Sequence, residues 1–154
     1  MDTDRARAVA ERLHAADREE DGTPLLAHIR RVALAVPPEA RPVAWLHEAL
    51  EWTVVPEQEL LTNGLTDDEL RALRLLHRTG SRSERVYLAH LRLIARAAGC
   101  SGHLARLVKT ADLEDRCRHP RLRADGWSPA YARGLVLLRG PAHALDHAVG
   151  STAS

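Results

Sequence analysis

The sequence predicts an all-α fold, a compact helical bundle of about seven to eight helices. With no Phe and only 3% aromatic residues, the core must be built mainly from Leu, Val and Ala, and Leu and Ala favour helices. Apolar residues recur at helical spacing along the chain, and no segment shows the period of two that indicates a strand. The 154 residues suffice for one domain that buries a core of its own.

Capping and breaking residues divide the first half of the chain into four predicted helices. The first covers about residues 4–18. Thr23 as an N-cap, followed by a proline in the first helical position, starts the second helix, and Pro37 stops it. A third helix spans roughly residues 39–52, with His47 on its inner face. The fourth lies between Pro56 and an Asn-Gly pair at residues 63–64, which is a C-cap signature.

The second half contains three or four more helical segments. Thr66 and Glu69 form a capping box before the first of them. The next carries an apolar face of Val86, Leu88, Leu91 and Ile94 and ends at residue 99, and Ser101 caps the one after it, which ends at residues 119–120. Residues 121–127 are predicted to be a loop, and a last helical region begins at residues 128–129. We therefore expect a helical domain over residues 1–126, with residues 127–154 forming a C-terminal helical segment packed on it.

The overall charge argues against several classes of protein. The formal net charge is +1 and Lys109 is the only lysine, so there is no strong nucleic-acid-binding signal. No apolar run is long enough to span a membrane, and the charged N-terminus does not resemble a signal peptide. Cys100 and Cys117 form no Cys-x-x-Cys motif, which favours a reduced, cytoplasmic protein.

Three predicted helices each direct a metal-binding type of side chain toward the core. These side chains are His28, the pair His47 and Glu48, and Asp112. Each has an ordinary structural explanation when taken singly: a hydrogen-bonded core histidine, or an i,i+4 ion pair of Asp112 with Arg116. Together they favour a divalent cation, because buried charges require partners and imidazole and carboxylate groups are suitable ligands.

The sequence around these residues resembles a known family. The segments GTPLLAHIRRVA, AWLHEALEWT and LVKTADLEDR are similar, in this order, to motifs of the HD-domain superfamily of metal-dependent phosphohydrolases. They are most similar to the branch of small (p)ppGpp hydrolases. That branch has a Gly-x-Pro-x-x-x-His segment, an Ala-x-Leu-His-Asp segment followed by a Glu-Asp pair, and a Lys-x-Ala-Asp segment. The resemblance covers approximately residues 5–118.

The resemblance implies roles for individual residues. His28, His47, Glu48 and Asp112 match the metal ligands, with Mn²⁺ as the first expectation and Fe, Zn or Mg as alternatives. Glu51 matches the acid that orients or activates the attacking water, and Lys109 matches a basic position of structural character. The substrate would be a small molecule, a nucleotide or another phosphate ester or pyrophosphate. The candidates for binding its phosphate groups are Arg30, Arg31, Arg116 and Arg118.

Three positions depart from the family pattern. Glu48 replaces the Asp that gives the superfamily its name, Trp52 replaces the second acid of the Glu-Asp pair, and Arg116 replaces an Asn. These changes weaken the expectation of (p)ppGpp hydrolysis in particular. They favour an alternative, a catalytically degenerate HD-like module that binds a nucleotide or a protein partner. A further alternative is a structural helical adaptor, which predicts that His28, His47 and Asp112 do not converge.

Overall fold

The computed structural model describes residues 1–52, 55–78, 83–119 and 128–140, and these residues form helices and the turns between them. Within these ranges no strand is formed, and one isolated antiparallel bridge joins Arg18 to Pro24. The prediction of an all-α bundle is confirmed. The helices are α1 (Thr3–Leu13), α2 (Leu25–Ala35), a 3₁₀ turn (Pro38–Ala40), α3 (Arg41–Leu46), α4 (Ala49–Trp52), α5 (Glu57–Thr62), α6 (Asp67–Leu76), α7 (Glu84–Arg96), α8 (Gly99–Arg118) and α9 (Ser128–Arg139).

Several helix ends lie where the sequence predicts them. The Thr66 side chain accepts a hydrogen bond from the Glu69 backbone N–H, and the Glu69 carboxylate accepts one from the Thr66 backbone, so the capping box is confirmed. The helix that begins after Pro56 ends before Gly64, whose φ of 91° is a left-handed conformation that glycine adopts at little cost. At the C-terminal end, α9 starts at Ser128 as predicted.

Two predicted helices extend well past their observed ends, and α7 ends at Arg96, three residues before its predicted end at residue 99. The first ends at Leu13 and not near residue 18, because the chain turns at His14, whose Nδ1 bonds to Asp17 at 2.7 Å. The segment predicted as one helix over residues 39–52 is a 3₁₀ turn followed by α3 and α4, with a break at residues 47–48. In both cases an apolar periodicity continues past the point where tertiary contacts redirect the backbone.

Two predicted caps are also wrong. Thr23 does not cap α2, because its hydroxyl donates to Asp21 at 2.7 Å and Pro24 occupies the N-cap position. Ser101 lies inside α8, which begins two residues earlier, at Gly99. The apolar face of α7 is likewise shifted: Tyr87, Leu91 and Ile94 are buried, whereas Val86 is exposed and Leu88 only half-buried.

The long helix α8 is the centre of the bundle. It packs against α2, α6, α7 and α9, and buried residues lie on several of its sides rather than along a single stripe. Because other helices surround α8, most catalytic or metal-binding side chains on it would have to lie inside the protein. The core around it is built from aliphatic residues, including Leu25, Ile29, Leu46, Leu60, Leu73, Leu91, Ile94 and Leu113.

The C-terminal helix α9 packs on α7 and α8. The predicted turn near residues 79–81 and the predicted loop over residues 121–127 lie outside the described residues, as do residues 141–154 of the predicted C-terminal segment. No helix in the described part of the chain is both long enough and apolar enough to cross a membrane.

Candidate metal centre

Four residues from three separate parts of the chain meet in the interior. His28 comes from α2, His47 and Glu48 from the break between α3 and α4, and Asp112 from α8. Each offers one ligand atom, and these four atoms lie within 4.8 Å of one another. Two ligands of one cation are separated by at most about 4–5 Å, twice an ordinary metal–ligand bond. The spacing therefore suits a single shared ion.

The break between α3 and α4 determines how two consecutive residues face one centre. Successive side chains on a regular helix diverge by about 100°, so adjacent residues do not normally converge. Here α3 ends at Leu46 and α4 begins at Ala49. The Nδ1 atom of His47 donates to the Ala44 carbonyl oxygen at 2.6 Å. This bond fixes the ring and directs its Nε2 atom toward the cluster, where it lies 3.4 Å from Glu48 Oε1.

A buried carboxylate orients the other imidazole. The Nδ1 atom of His28 donates to Asp115 Oδ2 at 2.7 Å. Arg31 holds the same carboxylate from the other side, through its Nε atom at 2.6 Å and its Nη2 atom at 2.9 Å. Metal-binding histidines commonly use their second nitrogen in this way, and the bond fixes both the tautomer and the orientation of the ring.

The two imidazoles are arranged for a cation between them. A bond to a carbonyl or carboxylate oxygen requires a proton on Nδ1, and in a neutral ring this leaves a lone pair on Nε2. The Nε2 atoms of His28 and His47 face each other at 3.4 Å. Two lone pairs at this distance repel unless a proton or a metal ion lies between them. The residues therefore fit a divalent cation by the chemistry of their donors as well as by their spacing.

Without a metal ion, the carboxylates around His28 favour its protonated form, which carries no lone pair on Nε2. Burial and the charge of Arg116 lower the pKa of His28, but hydrogen bonds to Asp112 and Asp115 outweigh them, and the net pKa lies above its usual value. In the protonated form, Nε2 is at ion-pair distance from Asp112 Oδ1, 3.2 Å away. Because a metal ion needs that nitrogen deprotonated, metal and proton compete for the site.

Two cations balance the carboxylates of the cluster. Arg116 donates from Nε to Asp112 Oδ1 and from Nη2 to Glu48 Oε1, both at 2.7 Å. Lys109 donates to Asp112 Oδ2 at 2.6 Å. Burial would raise the pKa of Asp112, but the charges of Lys109 and Arg116 hold it well below its usual range. The pKa of Glu48 is also lowered against the effect of burial, through His47 and Arg116.

The remaining predicted site residues lie in different places. Glu51 is exposed on α4 and is not one of the four clustered residues, so its catalytic role stays a prediction. Of the four arginines proposed for phosphate, Arg116 is inside the cluster, and Arg31 is linked to His28 through Asp115, to which both residues are hydrogen-bonded. Arg30 is exposed, and Arg118 is exposed and pairs with Glu114 at 3.3 Å.

The sequence-based predictions do not include two residues that lie next to the cluster, Asp115 and Glu19. Asp115 lies three residues after Asp112 on α8, a spacing that shares a helix face and could have suggested a partner for the first histidine. Glu19 lies in the loop between α1 and α2, is 5% exposed, and has its Oε1 atom 3.8 Å from Arg116 Nη1. No motif surrounds it, and its neighbour Glu20 is exposed.

Comparison with known proteins does not assign the chain to a family. No family model matches the sequence, and the curated proteins contain no significant match.

Proposed function

We propose that the chain is a divalent-metal-dependent phosphohydrolase of the HD-domain type, acting in the cytoplasm on a nucleotide or another phosphate ester or pyrophosphate. The observation that carries this proposal is the convergence of His28, His47, Glu48 and Asp112 at one buried point. The order of these residues along the chain is that of the family motifs. Their convergence also contradicts what the structural-adaptor interpretation expects, since that interpretation requires His28, His47 and Asp112 to lie apart.

The chain's own residues would divide the work as follows. His28 and His47 would hold the cation through Nε2, and Glu48 and Asp112 would hold it through carboxylate oxygens. Mn²⁺ is the first candidate because of the family resemblance. A bound divalent ion supplies Lewis acidity, which acidifies water and offsets negative charge on phosphoryl oxygens. By the same resemblance, Glu51 would orient the attacking water or accept its proton.

Phosphate binding falls to the arginines nearest the cluster. Arg31 approaches the centre through Asp115, and 36% of its side chain remains exposed, so it can meet a group arriving from solvent. Guanidinium groups suit this task because they donate two parallel hydrogen bonds to phosphate oxygens. Arg30 and Arg118 would contact only the outer parts of a larger substrate.

Elemental analysis and an activity assay test the proposal together. Purified protein is expected to contain, or to take up after chelation, about one divalent ion per chain. The loaded protein is expected to release phosphate or pyrophosphate from at least one member of a nucleotide panel. His47→Ala is expected to abolish both binding and release, and Arg118→Ala, which changes an exposed arginine outside the cluster, serves as a control that retains the metal. Full activity in His47→Ala would refute the assignment.

One observation favours the catalytically degenerate HD-like module as a second candidate. Arg116 bridges Glu48 and Asp112, and Lys109 occupies the other oxygen of Asp112. The carboxylates are thus neutralised by the chain's own cations, as they would be in a protein that has lost its metal. This candidate predicts nucleotide binding without a bound metal and without turnover, so the same metal analysis separates the two functions.

A further inference from the structure

Arg116 competes with a metal ion for the same oxygen atoms. Its two 2.7 Å hydrogen bonds end on Asp112 Oδ1 and Glu48 Oε1. These are the carboxylate oxygens that face the imidazoles: Asp112 Oδ1 is 3.2 Å from His28 Nε2, and Glu48 Oε1 is 3.4 Å from His47 Nε2. A dication held by these groups would lie within a few ångströms of the guanidinium charge. Arg116 must therefore release one or both oxygens when a metal binds.

A second acceptor for Arg116 is already present. Glu19 is 5% exposed, and its Oε1 atom is buried without a hydrogen-bond partner in the described part of the protein. Arg116 Nη1 is also buried without a hydrogen bond, and the two atoms are 3.8 Å apart. A buried carboxylate oxygen that lacks a hydrogen bond is costly. A movement of less than 1 Å along this direction would satisfy both groups.

We propose that Glu19 is a positioning residue that receives Arg116 when a divalent cation binds. Arg116 exchanges its bonds to Glu48 and Asp112 for a bond to Glu19, which frees the two ligand oxygens and keeps the displaced charge paired. The affinity of the site for metal then depends on a residue that is not a ligand and that lies in the α1–α2 loop. This inference rests on the metal site of the proposed function. It adds the movement of Arg116 that frees the ligand oxygens for the metal ion.

A double-mutant cycle on the full chain tests the exchange. Metal-free wild type, Glu19→Gln, Arg116→Gln and the double variant are titrated with Mn²⁺ by calorimetry, with Glu20→Gln as the matched control in the same loop. Glu19→Gln is expected to weaken Mn²⁺ binding about tenfold, since displaced Arg116 loses a charge-assisted bond. Arg116→Gln is expected to strengthen binding, and in that background the change at Glu19 is expected to have no effect.

The outcomes separate the two proposals. Wild-type affinity in Glu19→Gln, or an equal loss in the presence and absence of Arg116, overturns the exchange and leaves the metal site standing. Arg116→Gln binding Mn²⁺ no more tightly than wild type also overturns it, and this holds even if Glu19→Gln does not fold. Absence of Mn²⁺ binding in both wild type and Arg116→Gln overturns the metal site itself, and the exchange with it.

Discussion

Asp115 provides a test of how the site is built. It is not one of the four proposed ligands, but its hydrogen bond holds the imidazole ring of the ligand His28 in place. In Asp115→Asn the His28 Nδ1 atom loses an ionised acceptor at 2.7 Å, and Arg31 loses its paired carboxylate. The buried bond contributes about 1.5–3 kcal/mol. The Arg31 pair is partly exposed and adds only about 0.2–1 kcal/mol. The expected loss of unfolding free energy is therefore about 2–4 kcal/mol, which an ordinary domain survives.

The expected effect on metal binding is larger than a stability loss alone would produce. The amide can present its NH₂ group to Nδ1 and so favour the wrong tautomer, which places a proton on the ligand nitrogen. Affinity for Mn²⁺ is expected to fall about 10–100-fold, the usual cost of losing such a partner. The assay is calorimetric titration of chelator-treated protein at a temperature well below its unfolding midpoint.

The chain supplies a matched control for this experiment. His14 and Asp17 form another imidazole–carboxylate hydrogen bond, also 2.7 Å long, with a fully buried ring. Asp17→Asn breaks the same kind of bond outside the cluster, although in the loop that carries Glu19, so it is expected to lower stability and to weaken Mn²⁺ binding less than Asp115→Asn does. Equal metal affinity in Asp115→Asn and Asp17→Asn would refute the argument that Asp115 orients the ligand.

Three further predictions follow from the site and the fold. His47→Gln is expected to lose stoichiometric Mn²⁺ binding while keeping its helical circular dichroism, and retention of one tightly bound ion per chain would contradict the ligand set. In metal-free protein the raised pKa of His28 means that its contribution to stability is complete below its ordinary pKa of about 6.5 and is lost as the pH rises through the folded value. The stability difference between wild type and His28→Gln, from chemical denaturation, is therefore expected to shrink as the pH rises above about 6.5, and a constant difference would count against the protonated ring. Gly102→Ala is expected to lower the melting temperature more than Gly134→Ala, because a Cβ at Gly102 would lie 2.2 Å from the Ala97 carbonyl oxygen, whereas at Gly134 the nearest atom is a movable leucine methyl at 2.5 Å. Equal melting temperatures would show that the α8 backbone relaxes freely there.

The fold class could be predicted from the sequence because it depends on local signals. The capping box at Thr66 and the glycine that ends α5 act within a few residues, and both are found where expected. The end of α1 could not be predicted in the same way. It depends on a bond from His14 to Asp17 and on the bridge from Arg18 to Pro24, and an apolar periodicity carries no information about either.

The candidate site could also be predicted only in part from the sequence. His28 could be placed from its inward-facing position on α2, which the periodicity indicates. His47 is predicted on a helix face but lies at the break between α3 and α4, where the bond to the Ala44 carbonyl oxygen directs its ring toward the cluster. The charges around them could not be deduced, since Arg116 is an ordinary i,i+4 partner of Asp112 in the sequence and becomes a bridge to Glu48 only through packing of α8 against the α3–α4 break. Glu19 reaches the cluster from a loop, and its role depends wholly on how that loop folds back.

The hydrogen bond between His28 and Asp115 joins positions 87 residues apart. A site assembled from such distant stretches of polypeptide does not survive in the unfolded ensemble, so any cation it captures binds the native state alone. When the free ion concentration is one hundred times the dissociation constant, binding adds about 2.7 kcal/mol to the free energy of unfolding. The lifetime of this protein in a cell, and its susceptibility to proteases, would then rise and fall with the supply of the ion.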